Sequence, residues 1–287
     1  MLDHITVWFV TGCSSGLGKS LASTIHTAGH FLVATARNID TLNYLPDGPS
    51  ILKLNLDVTS PIAITKCFST ALDKFGRIDI VINNAGYSLF GDTEAIPESD
   101  ARLQMETIFW GPVLITREAV RIFREVNPAG QGGTVVQVSS IGGYVTFPGN
   151  SFYHAGKYAL GAFTQSFSKE LEPSWNIKLM VAAPGGVRTN FLTNAHVAAR
   201  HPAYAGSNGP FSQMLGLMTR PDVQENFSAP DDLARVLFDV VVGQDERSLP
   251  ARFLMGAETR TFIESECKKD ADEMEAWKVD TIRCTSK

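Results

Sequence analysis

"ITVWFVTGCSSGLG", Ile5 to Gly18, is the stretch on which the fold turns. Its first half is almost wholly apolar, as a strand buried on both faces of a sheet would be. Its second half, TGCSSGLG (Thr11–Gly18), sets glycines at positions 12, 16 and 18 between that strand and a helical pattern over Leu17–Ala28. Glycine reaches backbone angles that other residues resist, and it lets a phosphate approach the main chain. A helix beginning there offers unbonded N–H groups and a partial positive charge to a pyrophosphate. A glycine-rich turn alone is a weak signal. Its place after an apolar strand and before a helix makes it a dinucleotide-binding signal. Thr11, Gly12, Ser14, Ser15, Gly16, Leu17 and Gly18 are therefore candidate cofactor contacts.

The same rhythm continues along the chain. Apolar runs with strand character follow at His30–Ala36, Ile51–Val58, Ile78–Asn83, Thr134–Ser139 and Ile177–Ala182, with a further one near Arg252–Met255. Helical patterns lie between them at Pro61–Phe75, Ser99–Val126 and Phe152–Leu171, and a charged one near Glu258–Lys278 closes the chain. Strand–helix alternation of this kind predicts an α/β fold with a doubly wound parallel sheet. No Gly/Ser/Pro-rich linker divides the 287 residues, and no repeat recurs at a fixed period, so a single domain over residues 1–287 is expected. The rhythm breaks at residues 190–228. Phe191, Phe211, Met214, Leu217 and Met218 stand there among Pro, Gly, Asn and His, which reads as a substrate loop or lid. Residues 258–287 form a C-terminal helical extension.

Composition narrows the function. Hydrophobic residues are 44% and charged residues 19%, which suits an enzyme-sized globular core. A net charge of −5 gives no electrostatic reason to expect nucleic acid or an anionic membrane as a partner. The four cysteines, Cys13, Cys67, Cys267 and Cys284, have no CxxC spacing, so neither a disulfide framework nor a metal site is expected. The opening MLDHITVWFV lacks a basic region and reads as a strand, not as a secretion signal. No apolar run approaches the ~18 residues of a membrane span. A cytoplasmic location is the default expectation.

Two further places carry chemistry. The second strand ends in Ala36 and Arg37, where folds that take NAD usually place a carboxylate for the ribose 2′-hydroxyl. A guanidinium suits a 2′-phosphate, so NADP(H) is the expected cofactor. The stretch SSIGGYVTFPGNSFYHAGK (Ser139–Lys157) brings Ser140, Tyr153 and Lys157 into one neighbourhood, with Tyr153 and Lys157 at i and i+4 on one helix face. A nearby ammonium favours a phenolate and lowers the phenol's pKa from about 10, which would fit Tyr153 for proton transfer at a carbonyl or alcohol. Ser140 could hydrogen-bond the same oxygen.

Taken together, TGxxxGxG (Thr11–Gly18), NNAG (Asn83–Gly86), Ser140, YxxxK (Tyr153–Lys157) and PGGVRT (Pro184–Thr189) resemble the short-chain dehydrogenase/reductase family in order and rough spacing over about residues 5–245. The stretch REVNPAGQGGTVVQVSSIGG is similar to fungal members. The resemblance implies one Rossmann-type domain with about seven parallel strands, and hydride transfer between a nicotinamide and a substrate carbon. Tyr153 would be the acid/base. Lys157 would lower its pKa and hold the ribose, and Ser140 would position the substrate oxygen. Asp57 would contact the adenine, and Thr189 and the backbone near Val187 would hold the carboxamide, with Val58, Asn84, Ala85, Gly86, Pro184 and Gly185 as further cofactor contacts. A homodimer or homotetramer is implied. The substrate would be a small-molecule carbonyl or alcohol, and the apolar lid suggests a lipophilic one such as a specialised metabolite.

Two positions depart from the family's pattern. Gly156 stands where many members carry serine. Ile108, in METIFWGP (Met105–Pro112), stands where members usually carry an asparagine that holds a water in a proton relay to the lysine. Isoleucine can neither donate nor accept a hydrogen bond. Two alternatives to a ketone reductase therefore stand beside it. One is an NADP(H)-binding member with non-redox chemistry, a dehydratase, isomerase or cyclase. The other is a non-catalytic cofactor-binding sensor.

Overall fold

A computed structural model describes residues 5–204, 209–243 and 248–284, so the first four residues of MLDHITVWFV lie outside it. Seven strands form one parallel sheet: β1 (Val7–Val10), β2 (Phe31–Ala36), β3 (Ile51–Asn55), β4 (Ile80–Asn83), β5 (Gly133–Val138), β6 (Ile177–Pro184) and β7 (Arg252–Met255). Their order is β3-β2-β1-β4-β5-β6-β7. Every neighbouring pair is parallel. The chain winds outward from β1 to one edge and then from β4 to the other. The carboxyl ends of β1 and β4 therefore flank the crevice where such sheets take ligands.

Alternation along β1 shows why the sheet is apolar on both sides. Val7 and Phe9 face one way, Trp8 and Val10 the other, and all four are buried. Phe9 stacks on Phe68, ring centres 4.5 Å apart, beneath helix α2 (Pro61–Phe75). Trp8 stacks on Phe238 at 5.4 Å, beneath α1 (Gly16–Thr27) and the helix Pro230–Val242. Two cores thus sandwich the sheet. The boundaries of α2 have local causes. Ser60 caps it by accepting from the Ala63 N–H at 3.3 Å, Pro61 opens it, and Gly76 ends it with φ +75°.

The expected helix Ser99–Val126 is not uniform. It comprises α3 (Glu98–Met105), a π turn over Glu106–Trp110 and α4 (Gly111–Glu125). Pro112 has no N–H to give to the carbonyl four residues back, that of Ile108, and the wider turn absorbs the defect. Gly111 then passes close over the β3–α2 loop, where a Cβ would lie 2.7 Å from the Val58 carbonyl oxygen. Helix α5 (Ser151–Ser168) follows β5 and carries Tyr153 and Lys157 on its buried face.

Residues 190–228, the stretch expected to form a lid, are organised wherever they are described. A two-residue parallel ribbon pairs His196–Val197 with Leu89–Phe90. Helices α6 (Pro210–Met218) and α7 (Pro221–Gln224) follow, then α8, the helix over Pro230–Val242. Buried Asp92 anchors the segment by accepting from Arg200 Nε at 2.7 Å and from the His201 N–H at 3.0 Å. Arg200 also donates to Ser212 Oγ at 2.8 Å and lies 5.0 Å from the Phe211 ring centre. Helices α9 (Ala257–Ala276) and α10 (Lys278–Arg283) close the described chain. No helix among the described residues is long and apolar enough to cross a membrane.

Candidate active site

Loops at the carboxyl ends of the strands build one cleft of 710 Å³. Gly12 (φ +71°) and Gly16 (φ +55°) hold the β1–α1 turn in left-handed conformations. Gly18 is required for a different reason. A Cβ there would fall 2.3 Å from the Gly12 carbonyl oxygen and 2.4 Å from Asn84 Nδ2. Asn84 itself donates to the carbonyls of Thr11 (2.9 Å) and Gly12 (3.1 Å), so the end of β4 braces the turn. Helix α1 begins with no side-chain cap at Ser15 and no acid in its first turn. Its N–H groups stay available to an anion.

Gly12, Ser14, Ser15, Gly16, Leu17, Gly18, Arg37, Asp57, Val58, Asn84, Ala85 and Gly86 all line the cleft, as do Pro184, Gly185, Val187 and Thr189. Thr11 does not. Its hydroxyl accepts from the N–H groups of Asn84 (2.9 Å) and Ala85 (3.0 Å), tying β1 to β4 beneath the turn. A tight, anion-ready turn, an exposed guanidinium at Arg37 and an extended groove between them fit a dinucleotide.

Ser140, Tyr153 and Lys157 converge on the same cleft. Ser140 ends β5 and caps the short turn Ile141–Gly143, accepting from the Gly142 N–H at 3.0 Å. The Ser140 side chain interacts with the Tyr153 phenol in the sense that lowers its pKa. Lys157 donates from Nζ to the Val138 carbonyl at 2.8 Å, and Nζ lies 5.6 Å from the Tyr153 ring centre. The electrostatics differ from the sequence expectation. Burial pushes the Tyr153 phenol up to about 12, and the Ser140 side chain offsets this only in part. Burial also lowers Lys157 from 10.5 to about 8. Loss of hydration dominates both groups, so the phenol is held protonated at neutral pH.

Sequence reasoning missed His154. Its Nε2 accepts from the Phe147 N–H at 3.0 Å, so Nδ1 carries the proton and donates to the Gly142 carbonyl at 2.9 Å. Burial lowers its pKa and keeps it neutral. One ring thereby clamps both ends of the loop that follows Ser140. The only sequence signal was its place beside Tyr153.

Beyond Tyr153 the cleft is mainly apolar, with Phe90, Leu103, Phe147, Phe191, Met218 and Phe227 in its walls. Phe191 meets the Tyr153 ring edge-on at 6.0 Å. Asp100 and His196, 3.2 Å apart, add a polar pair. Of the five lid residues singled out, only Phe191 and Met218 line the cleft. Phe211 is buried against Phe90, Met214 is partly buried and Leu217 is exposed. Trp277 is exposed and takes no part in the cleft. Among the described residues no cluster of His, Cys, Asp or Glu could hold a metal ion.

Known proteins agree with this arrangement. The family model described as short chain dehydrogenase matches residues 6–199. An oxidoreductase of Penicillium decumbens, calM, is 37% identical over 280 residues, covering 96% of this chain and 91% of its own. An uncharacterised oxidoreductase of Schizosaccharomyces pombe, C162.03, is 33% identical, covering 96% and 90%. A crystal structure of a short-chain dehydrogenase from Streptomyces avermitilis superposes with a TM-score of 0.84 at 30% identity, covering 99% of this chain and all of the other. A Burkholderia cenocepacia short chain dehydrogenase in complex with NADP shares the fold, with a TM-score of 0.69 at 22% identity over 96% of this chain and 98% of its own. Sheet order, glycine turn and the Ser140–Tyr153–Lys157 cluster thus stand in a chain that matches over most of its length, and the protein belongs to the short-chain dehydrogenase family of oxidoreductases.

Proposed function

We propose that the protein is an NADP(H)-dependent oxidoreductase that reduces the ketone of a lipophilic small molecule, or oxidises the corresponding secondary alcohol. The observation that carries this reading is a protonated, buried phenol, with Ser140 beside it in the same cleft as the glycine turn and Arg37. When bound, the nicotinamide cofactor supplies or accepts the hydride. The chain does the rest. Ser140 and Tyr153 hold the substrate oxygen between two donors. The phenol gives its proton to that oxygen as negative charge develops there. Its protonated state at neutral pH is the one reduction needs. The ammonium of Lys157 stabilises the phenolate left behind and is placed to bind the cofactor ribose.

Arg37 supports the phosphorylated cofactor. It is exposed and lines the cleft, and β2 ends beside it at Ala36 without a carboxylate in sequence. A planar guanidinium binds a 2′-phosphate through charge-assisted hydrogen bonds. Apolar walls around Tyr153 support a lipophilic substrate.

The test is NADPH consumption against a panel of cyclic and aromatic ketones. Tyr153→Phe should lower kcat by roughly 10²–10⁴-fold with cofactor affinity kept. A Tyr153→Phe protein at full rate would refute the assignment. Arg37→Ala should raise the NADPH KM by roughly 10- to 100-fold and leave NADH unchanged. Product formed without cofactor consumption would favour non-redox chemistry instead.

A further inference from the structure

Ile108 and Gly156 are far apart in sequence and interlocked in space. Ile108 is fully buried in the π turn. A Cβ on Gly156 would lie 2.5 Å from Ile108 Cδ1 and 2.7 Å from Cγ1, with Met105 Sδ at 3.3 Å. A side chain enters that space only if Ile108 shifts. On its other side Ile108 Cγ2 reaches Gly86 of the cofactor groove, 3.5 Å from where a Cβ would be. Ile108 therefore fills the gap between α5 and the end of β4. It packs on the residue next to Lys157.

Lys157 is itself buried, and the Val138 carbonyl is the acceptor for its ammonium among the described residues. An ammonium has three protons to donate. From α5 the titratable group facing it is Tyr153. From the end of β5 come the Val138 carbonyl and the uncharged Ser139 and Ser140. From the π turn and the end of α3 come the apolar Ile108 and Met105 against Gly156, with Glu106 exposed. No carboxylate contributes to the state of Lys157, and loss of water is its one cause. The cleft, which Lys157 and Tyr153 both line, is where the pair meets solvent.

We propose that Ile108 and Gly156 form one apolar stopper behind Lys157, which keeps water from its ammonium and leaves the cleft as the route by which Tyr153 regains its proton. Ile108 is in this sense a positioning residue. It touches neither substrate nor reacting atoms and acts through the hydration of Lys157. The proton balance is simple. The phenol gives one proton to the substrate oxygen and takes one back from bulk water by way of the cleft. Naming that proton rests on the reductase reading above, whereas the stopper and its effect on Lys157 do not.

The experiment uses the full-length protein and needs no turnover. Lysines carry ¹³C at Cε, and the Lys157 signal is the one absent from Lys157→Arg. In the parent it should titrate well below ordinary lysines. In Ile108→Asn, which admits a polar group and water, its midpoint should rise by about one pH unit, while Ile108→Val should leave it in place. Packing gives the second measurement. Gly156→Ser should lower the Tm by roughly 3 °C with Ile108 present, and the same substitution made in an Ile108→Ala background should lower it much less, measured against the Ile108→Ala single variant. An unmoved Lys157 midpoint in Ile108→Asn overturns the proposal. So does a Gly156→Ser protein as stable as the parent, because the two positions would then not interlock. If Ile108→Asn fails to fold, the Gly156→Ser cycle and the midpoint in Ile108→Ala decide the matter in the same way. Failure of every ketone to consume NADPH would remove the reductase reading and leave these results standing.

Discussion

Replacing Lys157 by methionine should stabilise the protein while removing its activity. Methionine has nearly the length of the lysine stem and carries no charge. Burial lowers the ammonium from 10.5 to about 8, which at 1.36 kcal/mol per pH unit corresponds to about 3 kcal/mol by which folding disfavours the charged lysine. Loss of the 2.8 Å hydrogen bond to the Val138 carbonyl returns about 1 kcal/mol. The net gain is about 2 kcal/mol, or roughly 3 °C in Tm. Its pH dependence identifies the cause. Below about 8 the lysine is charged in both folded and unfolded chains, so the cost and the gain are complete. Between about 8 and 10.5 only the unfolded chain keeps the proton, so parent stability rises with pH and the gain shrinks. Above 10.5 the burial cost vanishes and only the lost hydrogen bond remains. Urea unfolding of both proteins across this range reads it out. A Lys157→Met protein no more stable than the parent at neutral pH, or a gain that persists above 10.5, would refute the reasoning.

Three further perturbations follow from the site. Gly18→Ala forces a Cβ to 2.3 Å from the Gly12 carbonyl and should cost about 1–3 kcal/mol in urea unfolding, with NADPH binding by fluorescence weakened in parallel. His154→Phe removes both hydrogen bonds of the loop clamp and should lower kcat about tenfold with cofactor affinity kept. In the parent, the lowered His154 pKa means that its stabilising share is present above 6.5 and is lost as pH falls below it, a slope that His154→Phe should abolish in thermal melts. Arg200→Ala leaves Asp92 buried without its guanidinium, and limited proteolysis should then cut first within the 190–228 lid, with KM rising more than kcat falls.

Strands were the most legible part of this sequence, because a parallel sheet covered on both faces writes its strands as continuous apolar runs. Arg252–Met255 and Pro61–Phe75 match the expected bounds, the latter because its cap, its proline and its terminal glycine are all local signals. The π turn was not legible. One extra residue in a turn leaves the apolar spacing of Ser99–Val126 close to helical, and Pro112 was the one hint. Helix Pro230–Val242 went unnamed although Pro230, Asp231 and Asp232 announce its start. The convergence of the candidate site residues on one cleft was legible because each sits at a strand end or on one helix face. Their protonation was not. The charge relation of Tyr153 and Lys157 can be written from their spacing, but the loss of water that outweighs it depends on walls contributed by distant segments. The lid anchor is of the same kind, since nothing near Arg200 in sequence points to Asp92.

The interlock at positions 108 and 156 also constrains how this site can change over generations. A chain carrying Ile108 meets its Cδ1 at 2.5 Å when a side chain enters 156, so isoleucine must move to admit it. A smaller residue at 108 removes that cost. The reverse change is penalised in the same way, since isoleucine enters 108 most easily when 156 has no Cβ. The two positions are therefore expected to change as a coupled pair. A designer who transplants one of them into a related short-chain dehydrogenase should expect to carry the other along.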